Sequence, residues 1–112
     1  MHEPWKIEYF DMRVEEDALA LPSRLLARYL HLADLLIEFG PMLGMPHVRS
    51  MGEKLFELRI KSVEGIARAM FCARVGRRIV VLHVFVKKSE KTPRHELELA
   101  LKRLKEVMRD DA

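Results

Sequence analysis

Apolar and polar residues alternate along Trp5-Lys6-Ile7-Glu8-Tyr9-Phe10, the two-residue period of a half-buried strand. Asp11 follows. Its carboxylate suits the orphan N–H groups at a helix start, so a short helix is expected over about 12–20. Pro22, with Ser23 beside it, suits the opening of a second helix. There Leu25, Leu26, Tyr29, Leu30, Ala33, Leu36 and Ile37 recur at spacings of three and four, an amphipathic stripe that stops at Phe39-Gly40-Pro41. The two helices are expected to form a hairpin.

Residues 40–53 hold three Gly and two Pro and read as a loop, with a short strand at His47-Val48-Arg49-Ser50. Leu55 to Lys61 is a cleaner strand, with Phe56, Leu58 and Ile60 on one face and Glu57, Arg59 and Lys61 on the other. Gly65 marks a turn, Ile66 to Arg74 a further strand, and Gly76 a second hairpin turn. Arg78 to Lys87 is rich in β-branched residues and apolar on both faces, as a central strand covered on both sides would be. Thr92-Pro93 reads as an N-cap followed by proline at the first helical position. Leu97, Ala100, Leu101, Leu104 and Met108 then line one side of a closing helix, with Glu98 and Lys102 in the favourable order on the other. The order β-α-α-β-β-β-α predicts an α+β domain: a small, mostly antiparallel sheet with an N-terminal helical hairpin and a C-terminal helix.

At 112 residues the chain is expected to be one domain, spanning 1–112. A chain of this size buries one core, roughly two-thirds of its unfolded surface, which excludes a second domain or a large barrel. Apolar runs such as Ile79–Leu82 and Val84–Val86 fall far short of the about 20 residues of a membrane span. Met1-His2-Glu3-Pro4-Trp5 lacks the charged-then-apolar pattern of a signal peptide. Cys72, the sole cysteine, has no internal disulfide partner. A reducing, cytoplasmic setting is expected, with Cys72 serving as a small hydrophobe. No His/Cys cluster has metal-site spacing, so neither a metal nor a cofactor is expected. Met42, Met45 and Met51 are expected to fill gaps in the core.

The net charge of +3 conceals an asymmetry. Residues 1–58 carry six basic and ten acidic side chains, whereas residues 59–94 carry ten basic and two acidic. The basic set is Arg59, Lys61, Arg68, Arg74, Arg77, Arg78, Lys87, Lys88, Lys91 and Arg94. Such a local excess is a footprint for a polyanion, or else a solvated surface that maintains solubility. By strand parity, Arg59, Arg68 and Lys87 converge on one sheet face if their strands are neighbours. Three cations aimed into one concavity suit a phosphate. They also suit RNA cleavage, in which the 2′-hydroxyl attacks the adjacent phosphate and positive groups stabilise the extra transition-state charge. A bland reading competes at each position. Arg59 and Arg68 can pair with Glu57 or Glu64, Lys87, Lys88 and Lys91 can be a solvated loop, and His83 can be a satisfied core histidine. His95 is expected at the surface, and the apolar residues of the first two helices are expected to pack the core rather than a partner.

The segment Leu55-Phe56-Glu57-Leu58-Arg59, then Gly65-Ile66-Ala67-Arg68, then Phe85-Val86-Lys87-Lys88 with Lys91-Thr92-Pro93, closely resembles the phage-derived, HigB-like branch of the RelE/ParE toxin superfamily. The resemblance runs over about residues 5–108 and is densest over 55–93. It implies a toxin of a type II toxin–antitoxin pair. RelE- and HigB-type members cleave mRNA in the ribosomal A site, and ParE relatives act on DNA gyrase. It also implies a cognate antitoxin, commonly a helix-turn-helix protein. By motif position Arg59, Arg68, Lys88 and Lys91 are the catalytic candidates, and Lys61, Lys87 and Arg94 the RNA-binding ones. The chain lacks the tyrosine that some RelE members carry near the C-terminus. Glu57, His83 and Lys91 are therefore the candidates for proton transfer. On this reading Arg68→Ala abolishes growth arrest with the fold intact. The alternatives are a binding toxin that does not cut, either ParE-like or gripping rRNA, and a degenerate toxin.

Overall fold

The computed structural model describes residues 3–88 and 91–110. Five strands form one sheet in the order β1-β5-β4-β3-β2. They are β1 (Lys6–Tyr9), β2 (Val48–Gly52), β3 (Leu55–Ser62), β4 (Gly65–Arg74) and β5 (Arg78–Lys87). The helices are α1 (Met12–Leu19), α2 (Ser23–Phe39) and α3 (Arg94–Asp110), with a 3₁₀ turn at Gly40–Leu43. β2 through β5 pair antiparallel, and β1 joins β5 in parallel. The expected α+β architecture is the observed one.

Local chemistry explains most boundaries. Asp11 Oδ1 accepts the Val14 N–H at 2.9 Å and caps α1 as expected. Pro22 precedes α2, and its carbonyl accepts the Leu26 N–H at 2.8 Å. A carboxylate from far along the chain completes that start: Glu64, in the β3–β4 turn, accepts the Arg24 N–H. α2 ends at Gly40, whose φ of +63° is the left-handed conformation glycine allows. The Trp5 indole lies against Gly40 so closely that an added Cβ would overlap the ring. A three-residue link joins α1 to α2, and residues of both helices share one core. Each rests chiefly on the sheet, α1 over β5 and α2 over β3.

The differences from expectation are small. The short strand expected at 47–50 is β2, Val48–Gly52, and it pairs with β3 through a tight turn in which Glu53 and Lys54 both have positive φ. That turn geometry matches strand twist, but Asn-Gly, its usual sequence signal, is missing. Met42 is 91% exposed and Met45 is also exposed, so neither fills the core; Met51 does pack against it. The start of α3 lies one residue later than expected. Pro93 supplies the carbonyl that accepts the Leu97 N–H, and the Thr92 hydroxyl turns to the sheet instead.

The sheet separates two cores. Under α1 and α2 lie Val14, Leu25, Tyr29, Leu32, Leu36, Leu58, Ile60, Phe71, Ile79 and Val81, among others. Tyr29 and Tyr9 share a hydrogen bond of 2.7 Å there, and burial, reinforced by Tyr9, drives the Tyr29 pKa well above the ordinary tyrosine range. Under α3 lie Leu55, Met70, Cys72, Val80, Leu82, Phe85, Ala100 and Leu104. A bulge in β5 opposite Met70 and Phe71 shifts the alternation. Val80 and Leu82 face α3 before it, and His83 and Phe85 face α3 after it. This is why β5 reads as apolar on both faces. Among the described residues, no helix is long and apolar enough to cross a membrane.

Candidate functional site

The antiparallel register places the basic residues. Lys61 sits opposite Ile66 and Ile66 opposite Lys87; Arg59 sits opposite Arg68 and Arg68 opposite Phe85; Glu57 sits opposite Met70 and Met70 opposite His83. Cross-strand partners project to the same face. Lys61, Arg59, Glu57, Arg68, His83 and Lys87 therefore share the α3 side of the sheet, as strand parity predicted. α3 covers the apolar part of that face, and the charged residues collect at the end where β3 finishes and β4 begins.

Arg68 is not at the surface. It is 1% exposed, and its Nε stands 3.4 Å from Oε1 of Glu57, itself 2% exposed. Nη1 of Arg68 donates to the Ala67 carbonyl at 3.0 Å. The second Glu57 oxygen accepts the Thr92 hydroxyl at 2.9 Å. Both carboxylate oxygens thus face groups that hold them, one on β4 and one at the entry to α3. The pairing of Arg68 with Glu57 is the bland alternative of the sequence reading, and it is present. The burial bears on the expected Arg68→Ala result, because that substitution strips a buried carboxylate of its cation and is expected to lower stability as well as activity. Lys87 is 6% exposed at the same end of β5.

Arg59 takes a different environment. It is half-buried, and its Nε is shielded from solvent with no hydrogen-bond partner among the described residues. It lines a cleft of about 240 Å³ at the outer edge of β3 together with Arg28, Pro46, His47 and Lys61. Tertiary structure creates this cleft. β2 starts at Val48, opposite Leu58, so β3 runs past it. His47 contributes one further ladder bond, accepting the Arg59 N–H at 2.8 Å, and Pro46 has no N–H to extend the pairing. The side of the cleft is closed by Arg28 of α2. Sequence reasoning missed Arg28 and His47 as site residues; one belongs to a helix read only for its apolar stripe, the other opens the short strand expected at 47–50 and carried no charge signal.

The remaining candidates scatter. Lys88, Lys91 and Arg94 are exposed, and Arg94 stands 3.7 Å from Glu98 one turn along α3. His83 packs on Phe85 and its Nε2 lies 3.0 Å from Glu96 Oε1, tying β5 to the first turn of α3. That is the satisfied core histidine of the bland reading. His95 is at the surface as expected. Cys72 is buried. No group of three His, Cys, Asp or Glu side chains suited to a metal occurs among the described residues.

The site thus has two parts: a buried Arg68–Glu57–Thr92 network with Lys87 beside it on the sheet face, and a cationic cleft around Arg59. Chemically it can hold anions, with charge stabilisation from guanidinium groups fixed on strands rather than on loops. A search of the curated proteins returns no match. A family model described as "Phage derived protein Gp49-like (DUF891)" matches residues 16–105, from the acidic helix α1 to the last turns of α3. The match takes in every residue of both parts of the site, and the chain belongs to this Gp49-like family of phage-derived proteins, within the RelE/HigB-like toxin superfamily.

Proposed function

We propose that this chain, acting as a single domain over 1–112, is the toxin of a type II toxin–antitoxin pair and cleaves mRNA on the ribosome. The 2′-hydroxyl of one nucleotide loses its proton and attacks the adjacent phosphate; the P–O2′ bond forms as the P–O5′ bond breaks, leaving a 2′,3′-cyclic phosphate and a 5′-hydroxyl that takes up a proton. Arg59 stabilises the charge that builds on the phosphoryl oxygens, Arg68 and Lys87 set the positive field beneath it, and Lys61, Lys88, Lys91 and Arg94 grip the strand. The reaction calls on no metal. The observation that carries this reading is the register that aligns Arg59, Arg68, Lys61 and Lys87 on one face. Glu57, which shares the sheet face with these cations, is already engaged by Arg68 and Thr92. Its burial suits positioning Arg68 rather than exchanging a proton with substrate. Lys91, exposed beside the grip, is the better placed of the remaining acid/base candidates. A helix-turn-helix antitoxin, the ribosome and mRNA are the partners, in the cytoplasm.

The burial of Arg68 also favours a second reading, a toxin that binds gyrase or rRNA without cutting, because it leaves fewer guanidinium groups to meet a scissile phosphate. Induced expression of wild type and Arg59→Ala, with growth scored and mRNA 5′ ends mapped, separates the two. Arrest with new ends inside translated codons, lost in Arg59→Ala, is the expected result. Arrest without new ends supports the binder. No arrest from a folded, antitoxin-free protein points to a degenerate toxin.

A further inference from the structure

Four clefts among the described residues can be compared, and their linings differ in charge. One, beside α1, is lined by Ile7, Glu8, Tyr9, Asp11, Met12 and Glu15 and is acidic. A second, near the C-terminal end of α3, mixes Glu8 and Asp110 with Arg78. A third, around Trp5, Phe39 and Met42, is largely apolar with Glu38 and Arg77 at its margin, and nothing shows what would cover it. The cleft at the β3 edge is the one with three permanent cations and an imidazole and no carboxylate.

We propose that this edge cleft is a phosphate-binding site in which Arg28 and His47 join Arg59 and Lys61 around a single phosphate group. The inference deepens the nucleic-acid reading above and rests on it only for the source of the phosphate. Four observations carry it. The cations come from two separate elements, α2 and β3, with the His47 imidazole from the approach to β2, so the cluster is not a solvated charge run along one element. Like charges gathered in a concavity repel unless an anion enters. Arg59 Nε is a buried donor with no partner among the described residues, a position that costs free energy until an acceptor arrives. The volume, about 240 Å³, lies below the roughly 300–1,000 Å³ of pockets for drug-sized ligands. It suits a phosphate with part of its sugar rather than a whole nucleotide enclosed.

The strand would then run from the sheet face at Lys87, over the edge of β3, to α2. Arg28 and His47 would grip, from the outer wall of the cleft, the same phosphate that Arg59 and Lys61 meet, which makes them binding residues that fix the strand's register.

The test is a nuclear magnetic resonance titration of the free protein, following the His47 ring and the Arg59 Nε–H signals. The probes are inorganic phosphate, a nucleoside 5′-monophosphate and an RNA trinucleotide with 2′-deoxy substitutions to prevent cutting. Saturable shifts of both signals are expected, with affinity weakened about tenfold or more in Arg28→Gln and in His47→Gln. Lys105→Gln, on the exposed side of α3, should match wild type. Tighter binding of the trinucleotide than of the monophosphate would identify a strand phosphate as the ligand, and equal binding a free nucleotide. Absence of saturable shifts at His47 and Arg59, or equal affinity in Arg28→Gln and Lys105→Gln, overturns the proposal. The titration uses no ribosome, so a failed cleavage assay leaves it standing. A null titration in turn leaves the nuclease reading to Arg68 and Lys87.

Discussion

The two faces of the sheet are built from the same strands and differ in what covers them. The α1/α2 face is closed by two helices, and its core is hydrocarbon apart from the Tyr9–Tyr29 pair, which is neutral. The α3 face is covered by one helix at one end. At the other end sit Arg59, Lys61, Arg68, Lys87 and Glu57. One face shows how this fold is stabilised, and the other shows where it gives up stability to hold charge. A buried ion pair contributes little net stability but is costly to break, so the polar corner is where single substitutions separate folding from function.

The largest effect should come from breaking that corner on one side. Arg68→Ala leaves Glu57 buried without its cation and should cost about 3–5 kcal/mol in urea unfolding. Removing both charges together, as Glu57→Leu with Arg68→Met, should recover most of that stability while growth arrest stays lost. Recovery of arrest in the double variant would show that Arg68 serves only the fold. On the opposite face, Leu58→Ala should cost about 2–5 kcal/mol by opening a cavity beneath α2. It should lower activity only in proportion to the folded fraction, and a larger loss at permissive temperature would mean the two faces are coupled.

Thr92→Val comes next. It removes the hydroxyl that satisfies Glu57 and should cost about 1–3 kcal/mol, read by the same unfolding curves. Retained stability would show that water or another donor replaces the bond. The tyrosine pair predicts a pH effect on the apolar face. The folded Tyr29 pKa is raised, so its contribution is intact below the unfolded tyrosine pKa of about 10 and declines as pH rises above that. The decline should approach about 1.4 kcal/mol per pH unit and should be shallower in Tyr29→Phe. The smallest effect belongs to Arg94→Ala. Its partner Glu98 is a solvent-exposed neighbour one turn away, so stability should move by no more than about 0.5 kcal/mol. A change in cleavage with no change in unfolding would identify Arg94 as an RNA contact.

How much of this was legible in the chain depends on range. Asp11 capping α1, the apolar stripes of α2 and α3, and β3, β4 and β5 follow from patterns within a few residues. β2 was half legible because the turn after it uses Glu53 and Lys54 rather than glycine or asparagine. For α1 and α2, apolar faces can be buried on a sheet or on each other, and periodicity does not reveal that the sheet takes most of both. In the site, parity correctly grouped Arg59, Arg68 and Lys87, since alternation is a local property. It did not separate the fates of Arg59 and Arg68, opposite each other in register. Glu57 pairs with Arg68 in the buried network that also holds Thr92, while Arg59 lines a cleft walled by Arg28 and His47.

By itself, then, the order of residues determined the element types, the α+β class, the basic character of residues 59–94 and a motif set matched by its family. Those depend on periodicity, capping and composition, which act over one or two turns. Tertiary structure alone decided which cations are buried, which meet in a cleft and which carboxylate they meet. Those outcomes depend on strand register, on where β2 stops and on where α3 lies, and each joins residues about ten to forty positions apart.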